Sequence, residues 1–406
     1  MNGYARGTGQ ADYEARIDWE ALRRNRVERA QRLLREHGLD ALLVWKDENV
    51  RYLASLRAIT LQYRATTQYG VALFPEGPPT LFLSGGEVAR AQRVMPWIGE
   101  FVVIPILEEP GLVDAVVGEE VTRVLEKGGA AAGRVGLDGM TMPQWEAYRR
   151  HLPRAVFADG ETLMQEVRRI KFPEEIQVMR EAAAIADAVT RTAIEAVQPG
   201  VRECEVAGEA MRTLFRLGGE YAHLASPFVA SGERMSPPTR FATDKLIREG
   251  DLVFIDIGAC WNGYFGDEGR AVICGRPSPV QRKVYRTVHA CLEAAKREMR
   301  PGRTTHQVAA AVRAAAAAAG LDRHFIHLFI GHGLGITPNE PPYIGEPQRG
   351  AAEVTLEPGM AFAVEPLIWV PETPGGGGVR LEDTLVITDG EPEVLTRCGF
   401  DPRLLE

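Results

Sequence analysis

The segment Leu252-Val253-Phe254-Ile255-Asp256-Ile257-Gly258 constrains this chain more than any other. It reads as a strand that is hydrophobic on both faces, and therefore buried on both, yet one carboxylate interrupts it. A buried, unpaired carboxylate is costly, so Asp256 needs a partner. Downstream, Asn262-Gly263 is a strong two-residue hairpin signal that pairs Trp261 with Tyr264 and hence Gly258 with Asp267. Asp256 and Asp267 then sit diagonally on one face, about 7–8 Å apart at the backbone, near enough to converge on cations and too near to be stable without them. In the plainer reading Asp267 pairs with Arg270 and Asp256 caps a turn.

Three further segments favour the first reading. Gly331-His332-Gly333-Leu334-Gly335 sets an imidazole between glycines, where no neighbouring side chain crowds the ring. Alone, such a histidine serves structure more often than chemistry. Val364-Glu365-Pro366 places a carboxylate in an apolar strand, and Arg380-Leu381-Glu382-Asp383 places another in the strand that a hairpin lays beside it. Four carboxylates and one histidine form an oxygen-rich set with a single nitrogen. Such a set suits two hard or borderline divalent ions: Mn²⁺, Co²⁺, Fe²⁺ or Zn²⁺.

With 406 residues the chain exceeds what one core usually supports, so two domains are expected. Short apolar runs at residues 41–45, 70–74, 79–83 and 101–106 alternate with helical stretches, beginning with an amphipathic helix over 18–37, and define an N-terminal α/β domain. The boundary falls near residue 168, giving domains 1–167 and 168–406. The second domain is α+β, with helices over 173–197, 203–217, 279–299 and 308–319 laid on an antiparallel sheet. Its extended segments are 228–230, 252–260, 264–274, 360–370 and 378–388. A net charge of −8 without a basic block excludes a nucleic-acid footprint. The first ten residues lack a signal-peptide core, and no apolar run is long enough to span a bilayer, so the expected location is the cytoplasm. Five cysteines, spread out and without a CxxC pair, read as reduced thiols.

The segments GDLVFIDIGACWNGYFGDEGR, GHGLG, LEPGMAFAVEP and GGVRLEDTLVIT closely resemble the creatinase, prolidase and aminopeptidase P group, which shares the pita-bread fold with methionine aminopeptidases. The similarity covers roughly residues 165–395, and the order of two aspartates, a histidine and two glutamates is highly specific. The resemblance implies a curved antiparallel sheet behind a creatinase-like N-terminal domain. It also implies two divalent ions, manganese favoured, on Asp256, Asp267, His332, Glu365 and Glu382. In that match Asp256 and Glu382 bridge the ions, Asp267 completes one site, His332 and Glu365 complete the other, and Glu365 shuttles the proton.

The chain departs from this family where relatives carry two substrate-contacting histidines. One position, about twelve residues before the Gly-Asp that opens the first metal strand, is Thr239; the other, seven residues after the metal-binding histidine, is Asn339. His223 and His327 are spatial substitutes, although a histidine near an apolar run more often packs in a core. In related creatinase-like enzymes one chain's N-terminal domain reaches over its dimer mate's active site. Here Gln62-Tyr63-Arg64-Ala65-Thr66 is where such a reach begins, and Arg64 suits a bidentate grip on a substrate carboxylate, unless it is simply a surface arginine. The expected protein is a homodimeric hydrolase of C–N bonds acting on a short peptide with proline after the bond. Creatinase-like, ectoine hydrolase-like or dimethylsulfoniopropionate lyase-like action on a small molecule is the alternative. A non-catalytic binding module is the remaining one, disfavoured by the intact ligand set.

Overall fold

The fold was analysed in a computed structural model that describes residues 11–12, 14–57, 68–224, 226–235, 241–326, 330–347 and 352–406. Contacts divide the chain into two units, Met1–Arg168 and Arg169–Glu406. In the first, six strands, β1 (Ala41–Val44), β2 (Gly70–Leu73), β3 (Thr80–Leu83), β4 (Glu100–Val103), β5 (Arg134–Leu137) and β6 (Val156–Asp159), form one mixed sheet in the order β4-β3-β2-β1-β5-β6. Strand β1 pairs antiparallel with β2 and parallel with β5. Helices flank it, beginning with Trp19–Glu36, whose cap is Asp18 accepting from the Ala21 amide. Trp45 and Phe82, with ring centroids 5.5 Å apart, lie in the apolar core on that sheet.

The second unit carries β7 (Tyr221–Ala222), β8 (Phe228–Ser231), β9 (Leu252–Asp256), β10 (Ala259–Trp261), β11 (Tyr264–Gly266), β12 (Gly269–Ile273), β13 (Gly331–Gly333), β14 (Glu340–Ile344), β15 (Ala361–Val364), β16 (Leu367–Trp369), β17 (Gly378–Arg380), β18 (Asp383–Val386) and β19 (Glu393–Val394). Helices Pro173–Ala196 and Glu203–Arg216 pack on one side and Pro279–Glu298 and Thr305–Ala318 on the other. This explains a strand that is apolar on both faces. Val253 and Ile255 of β9 join the core with the first helix pair, while Leu252 joins the core with the second. None of the helices among the described residues is long and apolar enough to cross a membrane.

The four long extended segments expected from sequence are each broken in two, and a carboxylate stands at every break. Asp256 ends β9, Asp267 lies between β11 and β12, Glu365 follows β15, and Glu382 lies between β17 and β18. At these points the strands change sheets: β9 pairs with β8 and β12, whereas β10 pairs with β11 and β7. The register does not slip across the break, since Asp256 opposes Gly269 and Ala259 opposes Gly266 with one constant offset. That offset originates in the hairpin, where Asn262 (φ 46°) and Gly263 (φ 82°) are both left-handed.

Gly263 therefore holds the register of both aspartates. A Cβ in the left-handed region costs roughly 1–2 kcal/mol, so Gly263→Val should lower the stability of the second unit by about that amount while Asn262→Gly stays close to wild type. Urea unfolding of the full chain checks this, and equal midpoints for the two variants would contradict it.

Candidate metal and active centre

The carboxylates at the four strand breaks face one another. Asp256, Asp267, Glu365 and Glu382 are each 3% exposed or less and line a cavity of about 340 Å³ together with His223, His332, Asn339 and Arg380. Asp256 is still paired in its ladder, with Gly269 and Phe228, whereas the backbone at the other three breaks is held by other means. Thr384 Oγ1 accepts from the Asp267 amide at 3.0 Å and donates to its carbonyl at 2.8 Å, and the Glu382 amide donates to Gly269 O at 2.9 Å. The Glu365 amide donates to Ile330 O at 2.7 Å. These bonds satisfy the main chain, so the acidic side chains are left to point inward.

Inside, the acids have too few partners of their own. Arg380 divides its guanidinium between Asp256 Oδ2 and Glu365 Oε2, both at 2.8 Å. Its charge is held by those same acids against the burial that opposes it. Asp256 Oδ1, Asp267 Oδ1 and Glu382 Oε2 are buried with no hydrogen-bond partner. Burial, and then the neighbouring acids, push Glu382 well above the usual carboxylate range and Asp267 up to about 6. Three unsatisfied anionic oxygens at one point is a donor set that fits hard divalent cations.

His332 completes the set with nitrogen. Its Nδ1 lies 2.9 Å from Gly333 O, an atom that only accepts, so Nδ1 carries the proton and Nε2 faces Glu365 Oε1 at 3.2 Å and Asp267 Oδ2 at 3.9 Å. Burial opposes a charge on this ring, but Glu365 and Asp267 outweigh it and raise its pKa, so a proton and a cation compete for Nε2. The flanking glycines answer to crowding rather than to a ligand. A Cβ on Gly331 would run into the Ala363 carbonyl, and one on Gly333 would stand 2.8 Å from Glu340 O, because β13 is wedged between β14 and β15.

Two groups have donor atoms close enough to share an ion: His223, Asp256 and Asp267, and Asp267, His332 and Glu382. Asp267 belongs to both. Asp256 Oδ2 is held by Arg380 at 2.8 Å. Asn339 lies exposed on the cavity rim, and its neighbour Glu340 is anchored by Lys171 Nζ at 2.9 Å and Thr337 Oγ1 at 2.9 Å. His223, for which the core reading was the plainer one, stands in the cavity wall, 3.3 Å from Asp256. Thr239, His327 and Arg64 lie outside the described residues. Arg380 was missed in sequence, although it lies two residues before Glu382 in an apolar strand, a spacing that puts both on one face.

Behind the centre, Arg270 donates to Gly269 O at 2.9 Å and to Glu382 O, and pairs with Asp383 at 2.8 Å and Glu268 at 3.0 Å. This buried cation ties β12 to the strand break that carries Glu382.

The chain matches the family model of metallopeptidase family M24 over residues 177–389 and that of the creatinase/prolidase N-terminal domain over residues 26–170. It is 32% identical over 373 residues to the uncharacterized peptidase YqhT of Bacillus subtilis, covering 91% of this chain and 97% of that one. Over 401 residues it is 30% identical to the probable dipeptidase PepE of Mycobacterium tuberculosis, covering 95% and 97%. Among solved structures, an Xaa-Pro dipeptidase from Bacillus anthracis superimposes with a TM-score of 0.79 at 27% identity, over 93% of this chain and 99% of that one. The chain belongs to metallopeptidase family M24. That membership implies divalent metal ions, and the two acid-and-histidine groups are where candidate ligands gather.

The sign of the Asp267 shift sets a pH dependence for the metal-free protein. Its folded pKa of about 6 lies above the ordinary 3.8, so its favourable contribution is complete below about pH 4 and is lost as pH rises through 6. With chelator present, the stability of wild type relative to Asp267→Asn should fall between pH 4 and pH 7, and a divalent cation at pH 7 should reverse that fall. A difference that stays flat with pH in thermal unfolding would contradict the burial of an uncompensated carboxylate.

Proposed function

We propose that this protein is a dinuclear-metal dipeptidase that cleaves the bond before proline in short peptides. What carries the reading is the convergence of three unpartnered carboxylate oxygens and His332 Nε2 on one small cavity. Its volume, about 340 Å³, lies at the small end of ligand pockets and suits a dipeptide better than a long chain. The names of the dipeptidase relatives support the substrate class.

In this reading Asp256, Asp267 and Glu382 hold one ion and Asp267, Glu382, His332 and Glu365 hold the other, with manganese favoured by the excess of oxygen over nitrogen. Bound divalent ions supply Lewis-acid polarisation of the scissile carbonyl and bring the pKa of a water toward neutrality. Glu365 accepts the proton released by the attacking water and passes it to the departing nitrogen. Arg380, fixed on Asp256 and Glu365, keeps the Glu365 carboxylate turned toward the cavity. Asn339 on the rim contacts the substrate. The working form is taken to be a cytoplasmic homodimer, in keeping with the family resemblance and with five free cysteines. Because Asn339 stands where relatives carry histidine, a small non-peptide amide is the second reading. A panel of Xaa-Pro dipeptides, creatine, dimethylsulfoniopropionate and acetylated diamino acids, assayed with reconstituted Mn²⁺, Co²⁺ or Zn²⁺, decides between them.

Elemental analysis should find about two divalent ions per chain. Glu365→Gln should lower kcat by about 10³-fold, in the range for loss of a general acid-base, with ion content reduced only in part. Asp256→Asn should lose metal first. Full activity after complete chelation, or an active Glu365→Gln variant, would overturn these assignments.

A further inference from the structure

The two histidines of the cavity are held in opposite senses. His332 turns Nδ1 to a carbonyl, which leaves Nε2 a lone pair. His223 turns Nδ1 to the Gly258 amide at 2.7 Å. A backbone amide only donates, so this Nδ1 holds the lone pair and the proton of the neutral ring sits on Nε2. Nε2 lies 3.3 Å from Asp256 Oδ1 but makes no hydrogen bond to it, which leaves the proton available to another acceptor.

The ring is not at liberty to swap its nitrogens. Its side chain is 7% exposed, Phe228 stands edge-on to it with centroids 6.1 Å apart, and the residue that grips it is a glycine for a steric reason. A Cβ on Gly258 would lie 3.0 Å from His223 Cβ and 2.9 Å from Asp267 Oδ1. Binding a cation through Nε2 would require removing its proton to give an imidazolate, or breaking the Gly258 bond and turning the ring in this packed site.

We propose that His223 is a substrate-facing hydrogen-bond donor of this cavity and not a metal ligand, so that the group it forms with Asp256 and Asp267 closes on a cation through oxygen alone. It rests on the peptidase reading for the identity of the acceptor, a carbonyl or carboxylate oxygen of the bound peptide. Its place in the cavity wall gives this chain a donor that enters from the segment after β7, not from either position where relatives carry histidine.

The test has three arms on the full chain. In histidine-labelled protein, long-range proton–nitrogen NMR correlations, assigned with His223→Gln, should show the Nε2–H tautomer at His223 both before and after Zn²⁺ addition, with His332 Nε2 alone shifting on ligation. Ligation of His223 Nε2 overturns the proposal. In calorimetry with Mn²⁺ alone, His223→Gln should keep the wild-type stoichiometry; loss of one ion per chain, or a Kd weakened beyond the roughly 100-fold limit for an outer partner, overturns it. With Xaa-Pro dipeptides, His223→Leu should lower kcat/KM by about 100-fold, the scale for one lost donor, and His223→Gln, whose amide still donates, should lose less. Wild-type rates in both variants overturn the donor role. If His223→Leu does not fold, the wild-type spectra and the Gln variant decide. If wild type cleaves no Xaa-Pro peptide, the peptidase reading fails on its own, and the NMR and Mn²⁺ arms still decide whether His223 is a ligand.

Discussion

Four carboxylates crowd one enclosed face of the second unit, and the guanidinium of Arg380 is shared between only two of them. That imbalance of buried charge is the constraint to which the rest of this unit answers. Each acid stands where a strand ends or changes partner, and at Asp267, Glu365 and Glu382 the main chain is satisfied by a substitute bond with Thr384, Ile330 or Gly269. Two helix pairs cover the outer faces with apolar core, so the acids face only one another and the cavity. The acids are thereby pressed toward neutrality or toward cations, and at neutral pH cations are the stronger remedy.

Around that core, a few polar contacts decide what each group can do. A carbonyl beside His332 and an amide beside His223 give two identical side chains opposite chemistry. Arg380 holds one oxygen of Asp256 and one of Glu365, while Asp267 belongs to both groups of candidate ligands. Farther back, Arg270 joins Glu268, Asp383 and the Glu382 carbonyl, with Phe400 stacked 4.6 Å from its guanidinium, so the strands bearing Asp267 and Glu382 share a fixed support.

Much of this was legible in the sequence because the signals were local. Asn262-Gly263 dictates a turn whose offset carries unchanged to Asp256 and Gly269, and the alanine-rich helix and its neighbours obey periodicity and capping. Asp256, Glu365 and Glu382 stood out because each breaks an apolar run, Asp267 through the hairpin register and His332 through its place between glycines. The strand breaks were not legible, since an apolar run has the same pattern whether it stays in one sheet or passes between two. Nor was the placing of His223, which follows a two-residue strand and gains its meaning only from Gly258, far along the chain. Arg380 escaped for a different reason: a cation in a strand reads as a solvated edge until the acids it serves are seen beside it.

The most direct test of the account is anomalous diffraction at the manganese edge from crystals grown with Mn²⁺. The account predicts two peaks in the cavity, one bounded by Asp256, Asp267 and Glu382 and the other by Asp267, His332, Glu365 and Glu382, with Asp267 shared and His223 outside both coordination shells. A single peak, or a peak ligated by His223 Nε2, would contradict it.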